Sequence, residues 1–411
     1  MHNSLEQQLR LFALQQLSGF GPVRFQQVLE QCDLADKNFW PDLLSLLSRV
    51  PRLGDIKKLQ QQVEQPLTCP WPERDRLLLW LEQPQRHLIA YGSAHYPDWL
   101  TQIGDPPIVL QGAGHVSLLS QPQIAIVGAR HATAMGLNDA SQFAGALAEL
   151  GWTITSGLAE GIDAAAHQGA LNAQGHTIAV LGTGLDQIYP AKNSRLAQHI
   201  TEQGLLISEY PLGTAPKAAH FPRRNRIVSG LSVGVLVVEA ALKSGSLISA
   251  RLASEQGREV FAIPGSIHQA QNKGCHQLIK QGAKLTETIM DIHEELQHWL
   301  QIDQQLPTYN RSTAKASTPK RQQLSLLSES AVSTAALGEA TAQKQKTQQP
   351  DPSRFATPEQ YQIVQAIFEG AVSVDTVILA TNLDAAFVSQ QLMLLELQGV
   401  IQQKATGYQL Q

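Results

Sequence analysis

Cysteine is scarce in this chain and follows no useful pattern. Cys32, Cys69 and Cys275 are odd in number and have no CxxC spacing. A disulfide frame or a zinc site is therefore not expected, and reduced thiols of a cytosolic protein are. Charge is sparse too: 16% of residues are charged and the net charge is −4. That balance excludes a general duplex-coating protein, so any nucleic-acid binding must rest on a local basic patch. No apolar run approaches membrane-spanning length; the most apolar, Val233 to Leu242, contains Glu239 and is strand-sized. The start, Met-His-Asn-Ser-Leu-Glu-Gln, lacks the basic and apolar regions of a signal peptide. The expected location is the cytoplasm.

What is present divides the 411 residues into several parts, more than one typical core would use. Residues 1–82 read as a helical domain, with Leu9, Phe12, Ala13 and Leu17 on one face and a Gly-Phe-Gly-Pro break before the next helix. Between 83 and 300, short apolar runs alternate with amphipathic helices. The runs are Ile124–Val127, Thr153–Thr155, Thr177–Leu181, Leu205–Ser208, Gly234–Val238 and Val260–Ile263. Continuous apolar strands are buried on both faces, which predicts an α/β fold: a Rossmann-like, doubly wound parallel sheet. Residues 301–354 are rich in Gln, Ser, Thr, Ala and Pro without apolar period, and a disordered linker is expected there. Residues 355–411 predict three helices and a hairpin, the winged-helix pattern. Its carboxylates, Glu359, Glu369, Asp375, Asp384 and Glu396, face only Lys404. A DNA groove would repel such a module, so a protein-contact or regulatory role is expected.

The chemistry gathers on the loops of the central part. Glycine-hinged loops occur at Ser156 to Asp163 and at Gly182-Thr-Gly184-Leu-Asp186, where backbone N–H groups can approach phosphate oxygens. Val127-Gly-Ala-Arg130 ends the first core strand but is not GxGxxG, so no dinucleotide cofactor is inferred. Arg130 instead stands where it can fork two hydrogen bonds to a phosphate. Arg223-Arg224-Asn225-Arg226 brings three guanidinium groups to a helix start, and a phosphate-bearing partner would relieve their repulsion. Lys217, Lys243 and Ser246 are expected on the same rim, with Phe221 offering a face for a base. Asp163 and His167 lie one helical turn apart; with no nucleophile beside them, Asp163 is read as a helix cap and His167 as a packing residue. The hairpin around Gly19-Phe-Gly-Pro22 fits a helix-hairpin-helix, and phosphate contact and plain packing both remain open for it.

At these residues the chain closely resembles the bacterial DNA-processing protein family, DprA (also called Smf). The landmarks are Val-Gly-Ala-Arg130, Ser156-Gly-Leu-Ala-x-Gly-Ile-Asp163, Gly182-Thr-Gly-Leu-Asp186 with Tyr-Pro190, Ser208-Glu-Tyr-Pro, Phe221-Pro-x-Arg-Asn-Arg226, Val238-Glu-Ala, Ser244-Gly-Ser and Ile263-Pro-Gly265. They fall in the family's order over residues 85–290. The resemblance implies an extended Rossmann-like domain between an N-terminal helix-hairpin-helix (SAM-like) domain and a C-terminal winged helix. It also implies a non-enzymatic protein, without cofactor or metal, that binds single-stranded DNA, helps load the RecA recombinase during natural transformation, and forms a homodimer through the Rossmann-like domain. The family's DNA contacts fall on Arg130, Gly184, Phe221, Lys243 and Ser246. Its lysine upstream of Phe-Pro falls on Ala218, with Lys217 one position earlier. Two other classes compete. The same Rossmann branch resembles the nucleoside-monophosphate phosphoribohydrolases, but their Pro-Gly-Gly-x-Gly-Thr loop is here Lys243-Ser-Gly-Ser-Leu-Ile. A pure adaptor would have little use for the arginines at 223–226.

Overall fold

In the computed structural model the apolar runs become strands of one nine-stranded sheet. The structure describes residues 4–305, except 35, 37, 49, 51 and 52, then 358–368, 401–404, 407–410 and single positions between 377 and 395. It divides into two compact units, Met1–Ala314 and Lys315–Gln411.

The first unit opens with five helices, α1 (Leu5–Gln16), α2 (Pro22–Leu29), α3 (Phe39–Ser48), α4 (Ile56–Glu64) and α5 (Pro72–Leu81). Strand β1 (Arg86–Ala90), the short helix α6 (Asp98–Thr101) and strand β2 (Val109–Gly114) follow. Then come β3 (Gln123–Val127), α7 (Ala134–Glu149), β4 (Thr153–Ser156), α8 (Ile162–Asn172), β5 (Thr177–Val180), α9 (Ser194–Gln203), β6 (Leu205–Ser208), α10 (His220–Leu231), β7 (Gly234–Val237), α11 (Gly245–Glu255), β8 (Glu259–Ala262), α12 (Lys273–Lys280), β9 (Lys284–Leu285) and α13 (Ile289–Gln305).

The sheet order is β1-β2-β6-β5-β4-β3-β7-β8-β9. Strands β3 to β9 pair in parallel, whereas β2 runs antiparallel to β6 and β1 antiparallel to β2. The chain winds outward from β3 through β4, β5 and β6, then returns to place β7 on the other side of β3. That reversal is a topological switch point, and ligands of such sheets bind beyond the carboxyl ends of the strands there.

Alternation along the strands covers both faces. Ala125, Val127, Val235 and Val237 join one buried cluster, while Ile124, Ile126, Leu236 and Val238 join another. Helix α7 turns Ala140, Ala144 and Leu147 inward at helical spacing. Gly169 on α8 leaves room for the Ser141 carbonyl of α7, where a Cβ would collide with it.

Two expectations change. The helices before residue 83 share a core with the sheet rather than standing apart: Phe12, Phe25 and Trp71 cluster with Leu88, Ala90, Ile108 and Val109. The Gln15 side chain ties the two together, accepting from Val109 N–H at 2.7 Å and donating to the Glu209 carbonyl at 2.7 Å. Helix α13 also runs on to Gln305, into the first residues of the expected linker. Ile292 and Leu296 anchor this helix in the core, which carries its helical spacing past residue 300. The rest of the linker lies outside the described residues.

The second unit contains α14 (Pro358–Phe368) and an antiparallel hairpin of β10 (Ile401–Lys404) and β11 (Gly407–Leu410). Ile363, Val364 and Ile367 form its core with Val377, Val388, Leu392, Leu395 and Ile401. As continuous elements, the two helices expected between 369 and 400 lie outside the described residues.

Candidate nucleic-acid interface

Five loops leaving the carboxyl ends of β3 to β7 enclose a cleft of about 540 Å³ at the switch point. Loop β3–α7 contributes Gly128 and Arg130; loop β4–α8 contributes Gly157 and Ala159; Tyr189 comes from the segment after β5. Pro216, Ala218, Phe221 and Asn225 form one wall, and Ser244 to Ser246 at the start of α11 form another.

Phe221 lies over the backbone of Gly182, whose missing side chain gives the ring its seat: a Cβ there would sit 3.0 Å from the ring. The Arg130 guanidinium is 5.7 Å from the centre of the ring, within cation–π range. Arg130 itself is exposed at the strand end. At the far wall the Ser244 side chain accepts from Ser246 N–H at 3.2 Å and meets the Ser246 hydroxyl at 2.6 Å, opening α11 toward the cleft. Asn225 donates to the Gly245 carbonyl at 3.3 Å and joins the two walls.

The floor is built by buried charge. The Arg224 guanidinium donates to the carbonyls of Gly157 and Val180, so it clamps the ends of β4 and β5. Gly157 is required at this spot, because a Cβ would strike that guanidinium. Asp163 accepts from the N–H groups of Gly157 at 3.2 Å and Ala159 at 3.3 Å. Burial raises the Asp163 pKa above its usual range, opposed by Arg224 and these N–H groups, and burial lowers that of Arg224. The aspartate thus braces the loop before its helix; α8 is capped by Gly161 with no side-chain bond.

His167 packs, as expected, beneath this floor. Thr177 donates its hydroxyl proton to the Ile154 carbonyl at 2.7 Å, so its oxygen accepts from His167 Nδ1–H at 2.6 Å. Nε2 is buried without a partner, which fits a neutral ring. Burial lowers the His167 pKa to about 3 from 6.5. Between those two values the unfolded chain binds the proton and the folded chain does not, so stability falls as pH falls. Each pH unit in that window removes about 1.4 kcal/mol. The carboxyls of half-buried Asp105 and buried Asp163 are raised by desolvation, so they act in the opposite sense. Urea unfolding of His167→Gln at several pH values is expected to lose this histidine's share of the acid slope. A slope identical to wild type would show that the ring is not held neutral.

The sequence-derived residues divide between cleft and scaffold. Arg130, Phe221, Arg224, Asn225 and Ser246 line the cleft; Lys217 and Lys243 are exposed immediately beside lining residues. Gly184 does not present its N–H, which donates to the Thr214 carbonyl at 3.0 Å, and the loop closes over it. Arg226 is buried, bonded to Glu209 at 2.5 Å and paired with Asp105 at 2.9 Å. The expected repulsion among three arginines is therefore relieved inside the protein, by Glu209 and Asp105 around Arg226 and Asp163 near Arg224. Only Arg223 keeps an exposed head, 3.8 Å from Glu209. Sequence reasoning missed Gly182 as the seat of the ring and used Tyr189 only as a landmark. The hairpin between α1 and α2 turns Arg24 back onto the Gly19 carbonyl, so that arginine is committed locally.

This arrangement of loops belongs to a described group. A family model described as DNA recombination-mediator protein A matches residues 87–297, and one described as DprA winged helix domain matches residues 345–407. The chain is 33% identical over 401 residues to Protein Smf of Synechocystis, covering 95% of this chain and 96% of that one. The chain belongs to the DNA recombination-mediator protein A family. It is also 50% identical over 244 residues to Protein Smf of Escherichia coli, a match spanning 58% of this chain and 65% of that protein. The X-ray structure of DNA processing protein A (DprA) from Streptococcus pneumoniae matches with TM-score 0.61 and 36% identity, over 72% of this chain and 99% of that one. The second match accounts for the second unit as a winged-helix domain. Among the described residues no helix is long and apolar enough to cross a membrane, and no cluster of His, Cys, Asp or Glu could hold a metal ion.

Proposed function

We propose that the cleft binds single-stranded DNA, without catalysis, as a step in DNA recombination. One observation carries this reading: Phe221 lies over Gly182 with the Arg130 guanidinium 5.7 Å away, in an open cleft at the strand ends. A partly exposed aromatic ring beside an exposed arginine suits a base and its phosphate, and it tolerates any base. A base paired in a duplex has no free face to offer. The engagement of Asp163, the acidic residue among those lining the cleft, supports binding over catalysis. Asp163 is committed to two backbone N–H groups, and Glu239 accepts from Thr133 N–H at 2.9 Å and Thr133 Oγ1 at 2.5 Å. Glu239 thereby fills the N-terminus of α7 with the chain's own carboxylate, at a place where a nucleotide phosphate could otherwise sit.

The family description as a recombination mediator supports loading of the RecA recombinase onto the bound strand, with natural transformation as the setting. Assembly as a homodimer through the Rossmann-like domain and a cytoplasmic location complete the proposal. Lys217, Lys243 and Arg130 supply the phosphate contacts, Phe221 a base contact, and Asn225 and Ser246 line the path. Arg224 acts through the floor.

Fluorescence anisotropy with labelled oligo-dT and a matched duplex, at two salt concentrations, tests this. Oligo-dT is expected to bind at least about tenfold tighter than the duplex, and to weaken as salt rises. Equal binding of both, or none, would overturn the reading. Release of adenine from AMP would turn it toward the phosphoribohydrolases.

A further inference from the structure

Among the described residues, Tyr189 is the one aromatic side chain that stands exposed, at 47%. It does so inside the cleft, beside Phe221, where the exposed Pro216 and Ala218 add apolar surface. The two ring centres are 5.5 Å apart and the planes are tilted by 43°. A base clamped between two rings needs them nearly parallel and about 7 Å apart, twice a stacking contact of about 3.5 Å. These rings already touch and diverge, so no base fits between them. They stand side by side, Tyr189 exposed and Phe221 half-buried.

We propose that Tyr189 is a second base subsite, so that the cleft grips two successive nucleotides, one base on Phe221 and its neighbour on Tyr189. The inference rests on the single-strand reading above and sharpens it: the ligand class becomes a strand with two adjacent unpaired bases, not a mononucleotide. A single strand meets this geometry because its backbone lets neighbouring bases unstack and turn apart. Arg130, over the Phe221 ring from the β3 loop, is placed to hold a phosphate of this dinucleotide step. Lys217, between Pro216 and Ala218, is placed for a phosphate beyond the Tyr189 subsite.

The test uses the full-length chain and labelled oligo-dT, together with the same oligomer carrying abasic sites at every second position. Tyr189→Ala is expected to weaken oligo-dT binding about 5- to 150-fold, the range of one lost stacking contact. Tyr189→Phe keeps the ring and is expected to bind within about twofold of wild type. Wild type should bind the alternately abasic strand less tightly than oligo-dT, and Tyr189→Ala should lose little further on it. Wild-type affinity in Tyr189→Ala, with Phe221→Ala weakened, overturns the second subsite and leaves the single-strand reading standing. Wild-type affinity in both variants overturns that reading as well. A Tyr189→Phe variant as weak as Tyr189→Ala assigns the contact to the hydroxyl and overturns stacking. Should Tyr189→Ala fail to fold, Tyr189→Phe and the wild-type abasic comparison decide: undiminished binding of the abasic strand overturns the proposal.

Discussion

Replacing Arg226 with leucine destabilises the fold by about 3–5 kcal/mol, the largest stability effect expected in the cleft region. The reason is burial on both sides. Arg226 is 3% exposed and its partner Glu209 7%. The Arg226 Nη2 to Glu209 Oε2 bond of 2.5 Å and the Arg226 Nε to Asp105 Oδ2 contact of 2.9 Å hold two carboxylates around one guanidinium. Removing the cation strands the Glu209 charge inside the protein, and that desolvated charge sets the magnitude rather than the net worth of the pair. Exposed Arg223, 3.8 Å from Glu209, screens only part of it. Urea denaturation should show a lower midpoint with an unchanged slope. Adding Glu209→Gln to the leucine variant should recover part of the loss, because the stranded charge is gone. A loss below about 1 kcal/mol would mean that water reaches the pair. The folded fraction should still bind oligo-dT normally, since Arg226 lies outside the cleft lining.

The second large effect is on binding. Phe221→Ala is expected to lose about 1–3 kcal/mol of single-strand affinity, the worth of one stacked base. Arg130→Ala acts differently. It removes a phosphate contact, so binding weakens for every sequence and the slope of log affinity against log salt falls by about 0.7. In Phe221→Ala that slope should stay unchanged. The two variants therefore separate stacking from charge in one salt titration. Equal salt slopes in Arg130→Ala and wild type would remove Arg130 from the phosphate path.

The central sheet was legible because β3 to β8 are short apolar runs between glycine loops, a pattern that only two-sided burial requires. Strands β1 and β2 were not. Val109-Leu-Gln-Gly-Ala-Gly114 is broken by Gln111 and two glycines, although all six residues are buried. Gln111 settles there through a hydrogen bond to the Tyr210 carbonyl, a partner invisible in local sequence. The site divides along the same line. Phe221 and Arg130 were readable as cleft-lining residues, since an aromatic and an arginine on neighbouring glycine loops converge at a switch point. Arg224 and Arg226 were readable as charges but not as scaffold, because Asp163, Glu209 and Asp105 arrive from other loops. Gly184 looked like a phosphate contact because its local pattern matches one. What closes it is Thr214, thirty residues away in the chain.

The most direct test of where the DNA lies is photocrosslinking of an oligonucleotide containing 5-iodouracil, followed by mapping of the attached peptide. Halogenated uracil couples to the aromatic ring it stacks on, so the crosslink reports the contact itself. The expected attachment is at Phe221, with Tyr189 as the neighbouring site, and it should vanish in Phe221→Ala and Tyr189→Ala combined. Attachment within residues 355–411, or at the hairpin around Gly19 to Pro22, with the cleft unlabelled, would contradict the account.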